Sequence, residues 1–404
     1  MPESPEEHIG ARIASYRKLA GYTQRELAEA AFISLGWVRK VERGERVPSH
    51  GFLTAAARTL HVSVEELTGQ PYRGESRSDQ RVHAPIPGIR AAVRHYDLPA
   101  DWYPQPKPLR DLERDVRTAG DYRAAARYSR LGQMLPKLLE ELTAAVHLSA
   151  EQERRRAAGL LASAYYMAHS LTMRLGYPDL IGQLEDRMQW AADLSGDPLM
   201  RALAGWTRSY SFDAFGDYSG GLKVLASARE ELESDDSVRN VDQVVMVGSL
   251  HLRESSLAAF AEDADATAHH LEKATYWAKK MPRGTDELHY HMTFGPSNVG
   301  VHEVAAAVEL KRPDEAVRVA KKLNFPADMA RTRQGHHYVA VARAYLSLDN
   351  KDKALKYLQD ARRVAPEQTK YHPIARETAR VLTHKYRRTT EELRSISSWL
   401  GVKS

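Results

Sequence analysis

A guanidinium can bond guanine O6 and N7 together, and Arg39 offers that chemistry most directly in this chain. It lies in the stretch FISLGWVRKVERGERVPS, residues 32–49, with Lys40, Arg43 and Arg46 around it. Residues 12–46 hold eight basic and four acidic side chains, although residues 1–69 as a whole balance nine against nine. A basic strip on a neutral domain implies modest phosphate contact per protomer. Should the strip meet double-stranded DNA, useful affinity would call for two copies on two half-sites. The 17 histidines include the clusters HYH (289–291), HH (269–270) and HH (336–337). None gives a His pair at i, i+4 with a glutamate between, and no cysteine assists, so no metal site is expected. Neither a phosphate-cradling glycine loop nor a G-x-S-x-G elbow occurs, so neither an enzyme nor a cofactor is expected.

A side chain reads a groove only from a firmly placed helix. Ile9, Ile13 and Tyr16 recur at helical spacing, and Gly21 ends that helix. Thr23 and Glu26 form a capping box for the next. A third helix is predicted from Ser34 to Arg43, stopping at Gly44, and a fourth from Ser49 to Leu60. A short fifth has Ser63 as its cap and Gly69 as its stop. Ala28 is the small residue where the second and third helices cross, while Ile33, Val38 and Val41 supply the inner face.

Residues 70–108 carry Pro71, Pro85, Pro87, Pro99, Pro104, Pro106 and Pro108, and read as a linker with local structure at most around 88–97. From 109 to 404 helical patterns return without a convincing strand. The phrases YSGGLKVLASA (218–228), DATAHHLEKA (265–274), DEAVRVAKKL (314–323) and DKALKYLQDA (352–361) share small and apolar spacings. They recur at intervals of 38 to 49 residues, as helix-pair repeats do. The fold class is therefore all-α, with domains at 1–69 and 109–404.

Bulk properties agree. The 404 residues are 43% apolar and 27% charged, an ordinary globular balance. No apolar run reaches a membrane-spanning length, and the start, MPESPEEHIG, lacks the order of a signal peptide. The absence of cysteine fits a cytoplasmic protein, and a net charge of +5 is compatible with nucleic acid.

Two resemblances sharpen this reading. Thr23-Gln24, Leu27-Ala28, Ile33-Ser34, Val38, Val41-Glu42-Arg43-Gly44 and Pro48-Ser49 fall at the spacing of the phage-repressor-type (Xre, Cro/cI) helix-turn-helix domain. The chain resembles that five-helix domain over residues 5–69. The resemblance implies that Gln24 touches a phosphate and buttresses the reading helix. It places Leu35, Gly36, Arg39 and Lys40 near base edges, and gives Arg43 and Arg46 backbone contacts. Trp37 would pack on the sugar-phosphate edge or cover apolar surface. Leu35 and Gly36 stand where a polar reading pair is usual, which shifts specificity toward Arg39, Lys40 and DNA shape. Phe32 stands where the family commonly has a glycine with positive φ, so the turn is expected to differ slightly.

Residues 335–368 resemble a tetratricopeptide (TPR) repeat, with Tyr338, Val341, Ala342, Tyr345, Ala354, Leu358, Ala361 and Pro366 at consensus spacing. A TPR-like array implies a concave surface lined by the first helix of each pair. Its register puts His336, Arg343, Asn298, Trp206 and Tyr210 there, with His302 one residue off the register and Tyr166, His169 and Met173 as a further upstream extension, groups suited to a peptide or other small ligand. The combined architecture is similar to the RRNPP peptide-sensing regulators, which implies a homodimer whose array senses an effector. The alternative is an interaction scaffold with the N-terminal domain used for docking.

Overall fold

Local caps fix the first five helices. In the computed structural model, which describes residues 8–74, 76–98, 102–234, 240–282, 284–386 and 390–402, they are α1 (Ile9–Leu19), α2 (Gln24–Ala30), α3 (Leu35–Glu42), α4 (His50–Leu60) and α5 (Val64–Thr68). Thr23 and Glu26 cap α2 reciprocally, as Ser63 and Glu66 cap α5. Ile9, Ile13, Leu27, Val38, Val41, Phe52, Leu53 and Leu67 close the domain's own core.

Residues 70–108 contain more structure than their prolines suggest. They hold α6 (Arg77–His83) and α7 (Ile86–Arg94), and Val82, Ile86, Ile89, Ala92 and Val93 bury themselves in the large core of the following region. The physical reason is position: Pro85 and Pro87 sit at the start of α7, where a missing N–H costs nothing.

Six antiparallel pairs follow: α8 (Leu109–Ala124) with α9 (Tyr128–Leu148), α10 (Glu151–Leu175) with α11 (Pro178–Ser195), α12 (Pro198–Ala214) with α13 (Tyr218–Ser234), α14 (Val241–Phe260) with α15 (Ala264–Ala278), α16 (Pro296–Glu309) with α17 (Pro313–Ala320), and α18 (Arg331–Ser347) with α19 (Lys351–Val364). Each pair turns through one left-handed residue: Ala126, Gly176, Gly216, Glu262, Lys311 and Asp349, at φ between 55° and 79°. These turns recur every 38 to 50 residues. The helices α20 (Pro366–Lys370), α21 (Pro373–Lys385) and α22 (Glu391–Trp399) complete the chain.

A strand pair was not expected, yet β1 (Glu287–His289) and β2 (Met292–Phe294) form a short antiparallel hairpin between α15 and α16. Its tip, Tyr290 and His291, has φ of 45° and 64° without glycine. Phe294 anchors it: the ring is fully buried, and a Cβ on Gly248 would lie 2.0 Å from it.

The inner helices α8, α10, α12, α14, α16 and α18 stack in sequence, and the arc closes because α8 meets α18 and α9 meets α20. The N-terminal domain lies across the enclosed space. The His50 backbone N–H donates to Glu309 at 2.8 Å, the Ile9 N–H to Glu377 at 3.2 Å, and Thr54 Oγ1 bonds the Tyr218 hydroxyl at 2.6 Å. Gly51 permits this approach, since a Cβ there would stand 2.6 Å from the Phe260 carbonyl oxygen. Among the described residues, no helix is long and apolar enough to cross a membrane.

Candidate functional site

Two surfaces carry the chemistry, and α3 carries the first. Val38 and Val41 face the domain core. At about 100° per residue, Gly36, Arg39, Lys40 and Arg43 then fall on the opposite side, and all four are exposed. Gln24 Nε2 donates to Glu42 Oε2 at 2.7 Å, and Arg17 donates to both oxygens of the same carboxylate at 2.7 and 3.0 Å. These bonds tie the start of α2 and the end of α1 to the last turn of α3, which holds the strip in place.

The remaining expected contacts are placed differently. Arg43 pairs with Glu45 at 2.6 Å, both exposed, an arrangement worth little to stability. Leu35 is half-buried against the domain core. Trp37 is half-buried and Arg46 donates to the Ser347 carbonyl at 3.2 Å. Both line a cavity of about 240 Å³ between the domain and the array, with Val47, Lys311, Leu346 and Val381. Trp37 and Arg46 thus face the array and not the outward strip.

Phe32 keeps the left-handed turn that its bulk was expected to disturb, at φ 56° and 91% exposed. The bonds Phe32 N–H to Glu29 O and Ile33 N–H to Ala28 O impose it. The left-handed conformation costs a side chain about 1–2 kcal/mol, while glycine's extra freedom in the unfolded chain returns about 0.5–1. Phe32→Gly is therefore expected to stabilise the domain by about 0.5–1 kcal/mol, read as a higher urea midpoint, with DNA affinity unchanged. A lower midpoint would show that the exposed ring makes a contact of its own.

The second surface is the space enclosed by the array, a cavity of about 380 Å³. Tyr166, His169, Met173, Trp206, Tyr210, His302, His336 and Arg343 all line it. Asn298 lines an adjoining chamber of about 40 Å³ that shares Arg123, Tyr166, Trp206, His302 and Arg333 with the main cavity. Inner-helix positions thus converge on the main cavity and the chamber beside it. His50 and Leu53 from α4, and Val64, Glu65 and Thr68 from α5, roof it.

Of the cavity's arginines, sequence reasoning placed Arg343 and missed the other four. Arg123, Arg174, Arg253, Arg333 and Arg343 line the cavity against three carboxylates, Glu65, Asp213 and Glu309. Arg343 pairs with Glu309 at 2.6 Å and Arg253 with Asp213 at 3.0 Å. Arg253 also lies over the Tyr210 ring at 3.8 Å. The available signal was Arg253 itself, a lone guanidinium inside the apolar run of α14. His169 is buried against Glu185 at 3.1 Å. Burial, reinforced by Arg333, lowers His302 to about 3 and His336 well below the usual range, so both are neutral at physiological pH.

His50 joins the N-terminal domain to the array. It forms an ion pair with Asp213 at 2.5 Å and stacks near the Phe260 ring at 4.2 Å. Burial alone would lower its pKa, but Asp213, with help from Glu309, outweighs both burial and Arg253 and raises it. Asp213 is held down to about 2: burial opposes this, and His50 and Arg253 overcome it. A raised histidine contributes stability fully below its unfolded value, about 6.5, and loses it as pH rises through the native value. The Asp213 contribution is present above about 3.8 and fades only as pH falls toward its native value. The thermal midpoint is therefore expected to fall as pH rises from about 6.5 through the raised native value of His50, and to fall less in His50→Gln. Parallel pH profiles would remove His50 from the interface account.

His251, Glu254 and His270 bring ligand atoms within 4.8 Å of one another. Burial would raise Glu254, yet His251 and His270 hold it at about 2, and Arg229 approaches it at 3.5 Å. The carboxylate is thus compensated by its neighbours without an ion.

Comparison with known proteins bears on the first surface. Residues 8–68 match the family described as helix-turn-helix domain. The uncharacterized HTH-type transcriptional regulator YazB of Bacillus subtilis is 45% identical over 58 residues, 14% of this chain and 84% of YazB. The HTH-type transcriptional regulator SinR of Bacillus subtilis is 38% identical over 68 residues, 17% of this chain and 61% of SinR. The cryptic phage CTXphi transcriptional repressor RstR of Vibrio cholerae is 37% identical over 62 residues, 15% of this chain and 55% of RstR. No solved structure matches the chain.

Proposed function

Because the chain belongs, through residues 8–68, to the helix-turn-helix family of transcriptional regulators, we propose that it binds DNA sequence-specifically and regulates transcription. The observation that carries this is the exposed strip Gly36, Arg39, Lys40 on a helix braced by Gln24 and Glu42. Arg39 reads guanine, Lys40 meets a phosphate, and Leu35 at the helix start approaches a thymine methyl.

The helix-pair region acts as a TPR-like array that pairs two copies and takes a small effector in its central cavity. A neutral domain with few phosphate contacts needs two reading heads for useful affinity, which supports the homodimer. The cavity's roof supports the effector role. An occupant touches both the array and α4 or α5, so it favours one placement of the DNA-binding domain over another. The spacing of the two reading heads follows that population.

A mobility-shift titration of the full chain on duplex DNA upstream of its own gene tests the reading. Binding that weakens steeply with salt is expected. No shift on any fragment at low salt sinks it.

A further inference from the structure

The small chamber beside the main cavity has a charge imbalance that the protein does not resolve. It is walled by α8, α10, α12, α14, the hairpin, α16 and α18, and its lining includes Arg123 and Arg333 with no aspartate or glutamate. Arg333 makes no side-chain hydrogen bond or ion pair among the described residues, and neither does Arg174 in the adjoining cavity. Arg123 spends one nitrogen on the His291 carbonyl and lies over the Tyr166 ring at 5.1 Å, which leaves its Nε without a partner. Two more buried groups there are unsatisfied, Ser249 Oγ and Asn298 Oδ1. Arg123, Ser249 and Asn298 are 7%, 5% and 3% exposed, so bulk water does not satisfy them.

Arg123 is buried and Arg333 half-buried; guanidiniums drawn from bulk water without a counter-charge are costly, and neutral histidines cannot offset them. Burial, deepened by Arg123 and Arg174, pulls the Arg333 guanidinium below its ordinary value, a sign of cations crowded together. The same field keeps His291 down at about 3, chiefly through burial and then Arg123. Every charged group in the chamber asks for an anion.

We infer that this chamber holds the anionic head, phosphate or carboxylate, of a small effector whose remaining atoms lie in the main cavity against Tyr166, Trp206 and Tyr210. Arg123 Nε, the Arg333 fork and the Ser249 hydroxyl donate to the head. The Asn298 amide nitrogen is already committed to the Thr293 carbonyl at 2.7 Å, so its oxygen accepts an N–H or O–H of the ligand. The ligand is therefore an anion with a neighbouring donor and a flat or apolar body. This deepens the effector part of the proposed function and does not depend on DNA binding.

Thermal unfolding of the full chain without DNA tests it, with inorganic phosphate and acetate as separate probes and sodium chloride at matched ionic strength as reference. Saturable stabilisation by at least one probe beyond chloride is expected; a stronger response to phosphate assigns a phosphate-bearing effector, a stronger response to acetate a carboxylate. Arg333→Gln is expected to weaken the response by about tenfold or more, because a charged hydrogen-bonding partner is lost. Its ligand-free midpoint should equal or exceed that of the parent, since an uncompensated buried charge is gone. Ser249→Ala, which alters no charge, should weaken the response by a smaller factor. Arg39→Ala with Lys40→Ala should leave it unchanged, which separates the chamber from the outer strip. The inference is overturned by no stabilisation beyond chloride, by an undiminished response in Arg333→Gln or Ser249→Ala, or by a ligand-free midpoint of Arg333→Gln well below the parent.

Discussion

Asp213→Ala is expected to release the DNA-binding domain from the array. Asp213 sits at the end of α12, 7% exposed at its side chain, between His50 of the N-terminal domain and Arg253 of α14. Arg253 also donates to Ser209 Oγ at 2.9 Å, but Asp213 is its only carboxylate partner among the described residues. Removing the carboxylate leaves a buried guanidinium uncompensated and a histidine without the charge that raises its pKa. Loss of one partner from such a pair costs about 3–5 kcal/mol. The cheapest relief is for the roof to lift and admit water. Hydrogen exchange at the His50 amide, now bonded to Glu309, should speed up, and the thermal midpoint should fall. Asp213→Asn, which keeps an acceptor, should show a smaller effect. Unchanged exchange at α4 would mean that the close approach of Gly51 to Phe260 and the Thr54–Tyr218 bond hold the domain unaided.

Arg39→Ala together with Lys40→Ala should weaken DNA binding by about tenfold to a hundredfold, without loss of helix content. Both side chains are exposed and make no bond that holds the domain together, so the fold has no stake in them. The single changes should separate their roles. Arg39→Ala should relax base preference at one position. Lys40→Ala should weaken all sequences alike and lower the salt slope by about one. The interaction-scaffold alternative predicts that the double change alters neither DNA binding nor function.

Much of the N-terminal domain was legible because its signals are local. Thr23 with Glu26 and Ser63 with Glu66 each close a cap within four residues, so type and spacing suffice to place the helix start. The cavity set was legible for a different reason. Inner-helix positions repeat from pair to pair, and the repeat spacing brought Tyr166, Trp206, Tyr210 and His336 to the same space, with His302, one residue off the register, beside them. Asn298 fell just outside it, in the side chamber.

What escaped the sequence depends on long-range contact or on unusual backbone. The hairpin tip puts Tyr290 and His291 at positive φ, where the usual signal would be glycine or asparagine. The helices α6 and α7 hide in a proline-rich stretch because Pro85 and Pro87 stand at a helix start, where proline fits. Nor does the sequence show that one nitrogen of Arg46 reaches the Ser347 carbonyl, 301 positions away. No local pattern announces the bonds from His50 to Asp213 and Glu309, which bind the first domain to the array. Arg343 followed from the repeat register, but Arg123, Arg174, Arg253 and Arg333 were silent, since a lone Arg in a helix reads as solvated until the closing of α8 on α18 encloses it.

Sequence-specific recognition by the α3 strip is the central claim, and selection of bound duplexes from a random pool by the full chain tests it most directly. Enrichment of two related half-sites, spaced by about one helical turn or a multiple of it, is expected, and the Arg39→Ala, Lys40→Ala chain should lose it. A pool that stays unenriched, or the same enriched sequence with the altered chain, would contradict the account.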